Sequence, residues 1–102
     1  MTGEERRGHP RLISPYLVVH FGGGEYTTQN WSFGGMLITG YAGELSAGSL
    51  LTIEGLGAGD GPVAKTSTKA RVVRADPNSG TLALTFLDID TECYAILADL
   101  QK

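Results

Sequence analysis

The sequence predicts an all-β protein, a six-stranded antiparallel β-barrel with a C-terminal α-helix. Three observations carry this. Apolar runs of strand length are separated by clusters of glycine, proline, asparagine and aspartate, with fifteen glycines and four prolines in 102 residues. No helical pattern stands between two strand-like runs, so a parallel βαβ sheet is excluded. A helical period occurs once, after residue 90. Strands joined by hairpins pair antiparallel, and closing such a sheet into a barrel removes the exposed edges that invite aggregation.

Residues 1–15 hold three arginines, two glutamates, a histidine and two prolines without apolar periodicity, and are expected to form an irregular, partly mobile arm ahead of a single barrel domain at 16–102. Tyr16 to Phe21 places Leu17, Val19 and Phe21 on one face. The triplet Gly22, Gly23, Gly24 then supplies turn conformations before Glu25 to Phe33 returns, which makes a hairpin. No P-loop lysine or helix follows that triplet, so it is turn chemistry and not a phosphate cradle. Gly35 to Thr39 is a short apolar strand, and Leu45 to Glu54 contains the next. Gly55, Gly57, Gly59 and Gly61 alternate with other residues up to Pro62; neither register gives a dinucleotide fingerprint, and the stretch reads as a flexible surface connection. Val63 to Ala75 and Thr81 to Leu87 flank the turn-rich segment Asp76 to Gly80 as a second hairpin. From Asp90, a candidate N-cap, Cys93, Ile96, Leu97 and Leu100 fall on one helical face.

With 41% hydrophobic and 19% charged residues the chain is globular, and its length suits one domain. A net charge of −3 argues against a general nucleic-acid or membrane binder, which needs a basic surface. An anionic ligand must then meet a local basic cluster. The lone Cys93 rules out an internal disulfide and reads as a small apolar helix residue. The N-terminal stretch lacks the apolar core of a signal peptide, no run is long enough to insert in a membrane, and a cytoplasmic location is expected. The initiating methionine and closing helix are consistent with a domain that stands alone.

The basic cluster is Arg6, Arg7 and Arg11. A solvated charged tail is the ordinary explanation of such a run. Arginine is also the side chain suited to bidentate phosphate recognition and to stacking on purines, because its guanidinium is planar, permanently charged and weakly hydrated. In Gln29 to Gly35, strand alternation puts Trp31 and Phe33 toward the core and Asn30 and Ser32 together outside, where an amide and a hydroxyl can meet a polar ligand. Gly34 and Gly35 leave the adjacent surface bare, or mark a bulge at a barrel corner. Arg74 is a weaker candidate, more simply a surface strand residue. His9 and His20 have no companions suited to a metal site, and no cofactor is expected.

Arg7 to Arg11 match the RxxxR motif of PilZ domains, and Asn30 to Gly35 match that family's second motif, [D/N]xSxxG, with 18 residues between Arg11 and Asn30. The segment Gly80 to Asp90 and the final helix also look like the closing strand and helix of the family, so the chain resembles a PilZ domain over nearly its whole length. The resemblance implies a barrel that binds the bacterial second messenger cyclic diguanosine monophosphate (c-di-GMP) on its outer surface. It implies that Arg7 and Arg11 grip phosphates and guanines, with Arg6 as an auxiliary cation, that Asn30 and Ser32 hydrogen-bond the nucleotide, and that Gly34 and Gly35 keep the surface open. A receptor of this kind moves its N-terminal arm on binding and signals to a downstream protein partner.

Three other functions make distinct demands on such a sequence. An enzyme needs a nucleophile with its base, paired carboxylates in a pocket or a metal set, and none is visible, since Asp88 and Asp90 read as strand-exit and helix-cap residues. An oligonucleotide-binding barrel needs basic residues interleaved with exposed aromatics. A nucleotide-independent interaction module on the same fold is the nearest alternative, and the complete motifs weigh against it.

Overall fold

The structure, a computed structural model, describes residues 11–101. Six strands, β1 (Leu17–Phe21), β2 (Gly24–Trp31), β3 (Gly35–Thr39), β4 (Leu50–Ala58), β5 (Val63–Asp76) and β6 (Thr81–Asp88), precede one helix, α1 (Thr91–Leu100). All pairings are antiparallel, and the strands close into a barrel with neighbour order β1-β2-β3-β6-β5-β4. The fold class expected from the sequence is the one observed. Two three-stranded meanders, β1 to β3 and β4 to β6, meet along two seams, β1 against β4 and β3 against β6.

Local chemistry explains the elements. Phe21 pairs with Gly24 across a two-residue loop in which Gly22 and Gly23 both have positive φ, 59° and 81°. Such a turn matches the right-handed twist of the flanking strands, and only glycine takes both positions without strain. Alternation then sorts the side chains. Leu17, Val19 and Phe21 of β1, Met36 and Ile38 of β3, Ala70 and Val72 of β5, and Leu82 and Leu84 of β6 are buried and form one core with Trp31. Helix α1 lies against β5 and β4 and buries Cys93 and Leu97, with Ile96 and Leu100 half-buried beside them. Burial raises the Cys93 thiol above its ordinary pKa, in keeping with an inert apolar role.

Asp90 occupies the N-cap position but makes no side-chain cap hydrogen bond. Its carboxylate instead accepts the Thr68 hydroxyl of β5, which ties the helix start to the barrel wall. Burial pushes this carboxyl upward, and the hydrogen bonds, led by Thr68, more than offset it, so its pKa lies below the usual value.

The surface connection expected at 55–62 is corrected by the structure. β4 runs on through Ala58, and Gly55 and Gly57 are buried within it. A Cβ on Gly57 would lie 2.6 Å from the Pro62 carbonyl oxygen, and one on Gly55 2.9 Å from Val63 Cγ1. These glycines let neighbouring chain approach β4 closely, a demand that produces the same composition as a loop. Only Gly59 to Pro62 turn. Conversely, residues 45–49 precede β4 and belong to the loop after β3.

Candidate functional site

The site is built where β2 ends. β2 stops at Trp31, whose indole is fully buried. Its backbone exchanges two hydrogen bonds with Leu12, Leu12 N–H to Trp31 O at 2.7 Å and Trp31 N–H to Leu12 O at 2.9 Å. The indole Nε1–H donates to the Pro15 carbonyl at 2.7 Å. Residues 11–15 are therefore held against the end of β2, and the irregular arm expected over 1–15 is in this part a docked segment. One isolated bridge leaves no periodicity, so this docking is not legible in the residues themselves. Arg6, Arg7 and His9 lie outside the described residues.

Docking Leu12 beside Trp31 delivers Arg11 to Ser32. Arg11, Ser32, Gly34 and Gly35 line one groove of about 370 Å³ with Val73, Ala83, Leu84 and Thr85. Among the described residues no carboxylate lines it, and Arg11 is exposed. The floor combines a cation, a hydroxyl pair and small apolar side chains, a composition that suits a phosphate joined to a flat ring. A larger concavity, about 760 Å³, lies at the far end of β3 and is lined by Glu44 and Asp76 with no cation among the described residues. For an anionic ligand, charge favours the smaller groove.

Three expectations about the second motif, on Ser32, Phe33 and Gly35, need correction. Ser32 does not continue the outer face of β2; it is 2% exposed and belongs to a tight turn. Its N–H donates to Gly35 O at 2.8 Å, and its Oγ accepts the Gly34 N–H at 3.0 Å. The strand alternation fails because the strand has ended. Phe33, for the same reason, leaves the barrel interior and stacks on Tyr94 of α1, ring centroids 5.3 Å apart. Gly35 does not hold an open surface either. It is buried, and a Cβ there would sit 2.0 Å from the Leu84 carbonyl oxygen of β6. The glycine is required by the close packing of β3 on β6. Gly34 remains exposed, and its carbonyl accepts the Phe86 N–H at 3.0 Å and the Thr85 hydroxyl at 3.3 Å.

Asn30 follows a bulge in the β2–β3 ladder between Thr28 and Asn30 and is half-buried. Its Oδ1 is shielded from solvent and has no hydrogen-bond partner among the described residues. A buried acceptor without a donor is costly and is ordinarily satisfied. His20 pairs with Glu25 directly across the hairpin at 3.0 Å, and no group of metal-ligating side chains occurs among the described residues. Arg74 is exposed on β5 but does not line the groove. Among the described residues, no helix is long and apolar enough to cross a membrane.

The Ser32 contacts give a direct test. Ser32→Ala leaves the Gly34 amide without its acceptor at a half-buried turn, and stability should fall by about 1 to 3 kcal/mol in urea unfolding. A change below about 0.3 kcal/mol would show that the turn holds without the hydroxyl.

The chain matches no model of a known protein family, and comparison with curated proteins finds no match.

Proposed function

We propose that this protein is a PilZ-type receptor that binds c-di-GMP in the Arg11–Ser32–Gly34 groove, catalyses no reaction and signals to a downstream protein partner through its N-terminal segment. The observation that carries the reading is the convergence of the two motifs. Arg11 and the turn residues Ser32, Gly34 and Gly35 are far apart in sequence and line one groove, where no carboxylate stands among the described residues. Asn30, the first residue of the second motif, does not line the groove, and its unpartnered oxygen is shielded from it.

A receptor without chemistry acts by differential contacts in two states. Leu12 and Pro15 are fixed to Trp31, and Arg6 and Arg7, which lie outside the described residues, precede this docked segment in the chain. Ligand phosphates offer those arginines a fixed target, and charge-assisted hydrogen bonds offset the backbone entropy lost on ordering, about 1 to 2 kcal/mol per residue.

Isothermal titration tests the reading. The protein should bind c-di-GMP with salt-sensitive affinity and discriminate against cyclic diadenosine monophosphate. Arg11→Ala should weaken binding by about tenfold to hundredfold, since a hydrogen bond to a charged group contributes about 1.5 to 3 kcal/mol. Its melting temperature should stay within about 2 °C of wild type, because an exposed side chain outside the core is removed. No binding by the wild type would favour a nucleotide-independent interaction module.

A further inference from the structure

We propose that Arg71 is a further ligand-binding residue of this groove, acting on the nucleotide from β5 while Arg11 acts from the β2 side. The inference rests on the function proposed above and concerns a residue in neither motif.

Register places it. Gly35 of β3 is opposite Thr85 of β6, and Thr85 is opposite Arg71 of β5, so the three form one row across the barrel wall. Directly opposed residues share a face with their Cβ atoms about 4.5 to 5.5 Å apart. Thr85 lines the groove, and Arg71 is therefore its immediate outer neighbour. Arg71 is exposed between the buried Ala70 and Val72, which directs it outward. An extended arginine side chain spans the strand spacing of about 4.8 Å with length to spare.

Charge singles it out among the β5 cations. Lys69 faces Asp88 across the ladder, and Arg74 has Asp76 two positions along its own strand. Arg71 faces Thr85 on one side and Leu50 on the other, and it has no ion pair among the described residues. A bulge between Val72 and Arg74 turns Val73 outward into the groove, 55% exposed; Arg71 and Arg74 both stand just outside the lining, opposite Thr85 and Ala83, and the nearby Asp76 carboxylate is what sets Arg74 apart. The β5 side thus offers an uncompensated guanidinium beside an apolar platform. A cyclic dinucleotide carries two phosphates and two flat purines, and cations on both flanks meet both halves of it.

The test compares wild type, Arg11→Ala, Arg71→Ala, Arg71→Lys and Arg74→Ala by titration with c-di-GMP, with melting temperatures alongside. Arg71→Ala should weaken binding about tenfold or more with an unchanged melting temperature. Arg71→Lys should fall between it and wild type, because the charge is kept and the planar fork is lost. Arg74→Ala should change affinity less than about threefold. If wild type binds, Arg11→Ala weakens binding and Arg71→Ala matches wild type, the role of Arg71 is overturned and the function stands. Equal losses in Arg71→Ala and Arg74→Ala overturn it too, as a general effect of surface charge. If wild type takes up no c-di-GMP, the functional reading fails and this assignment falls with it.

Discussion

Trp31→Ala is expected to lower the unfolding free energy by about 3 to 5 kcal/mol, the range for removing a large aromatic from a packed core. The indole is fully buried among the barrel side chains, so its loss leaves a cavity that strands paired on both sides cannot collapse to fill. Two further losses follow: the Pro15 carbonyl forfeits its donor, and the segment from Arg11 to Pro15 loses one of its fastenings. Trp31→Phe separates these effects. It refills most of the cavity but cannot donate to Pro15, so its cost should be a fraction of that of alanine while amide exchange at Leu12 speeds up. Chemical denaturation with hydrogen exchange at Leu12 reads both. Equal stability losses for phenylalanine and alanine would mean that the hydrogen bond, and not the packing, dominates.

Gly35→Ala should cost about 1 to 3 kcal/mol or more, although the change adds a single methyl group. The methyl would stand 2.0 Å from the Leu84 carbonyl oxygen, a backbone atom held in the β3–β6 ladder, so β3 or β6 must shift. Because Gly35 and Leu84 both line the groove, the same shift should reduce c-di-GMP binding. Denaturation midpoint and titration on one preparation check this. A variant as stable as wild type would show that the seam yields easily and that the glycine serves another purpose.

How far the sequence discloses this molecule depends on how local each determinant is. The β1–β2 hairpin is legible because its turn is written in Gly22 and Gly23 and its inward face in Leu17, Val19 and Phe21. Helix α1 is legible because Cys93 and Leu97 recur at helical spacing. Gly55 and Gly57 are misleading, since their cause is Val63 and the Pro62 carbonyl arriving from the next turn. The same holds in the site. Asn30, Ser32 and Gly35 are recognisable as a group, but alternation cannot tell that β2 ends at Trp31, and so it misplaces Ser32 and Phe33. The bulge between Val72 and Arg74, which turns Val73 outward, is set by pairing with β6 and leaves no mark on the residues themselves.

The groove straddles the β3–β6 seam: Ser32, Gly34 and Gly35 come from one meander, and Val73, Ala83 and Thr85 from the other. The chain joins those halves only through residues 40–49. A small molecule seated there works as a clasp, opposing the transient parting of two ladders whose partners are remote in sequence. Its grip follows mass action, reaching about 2.7 kcal/mol when the free concentration is a hundred times Kd. The abundance of such a molecule would then set how often the barrel breathes open along that line.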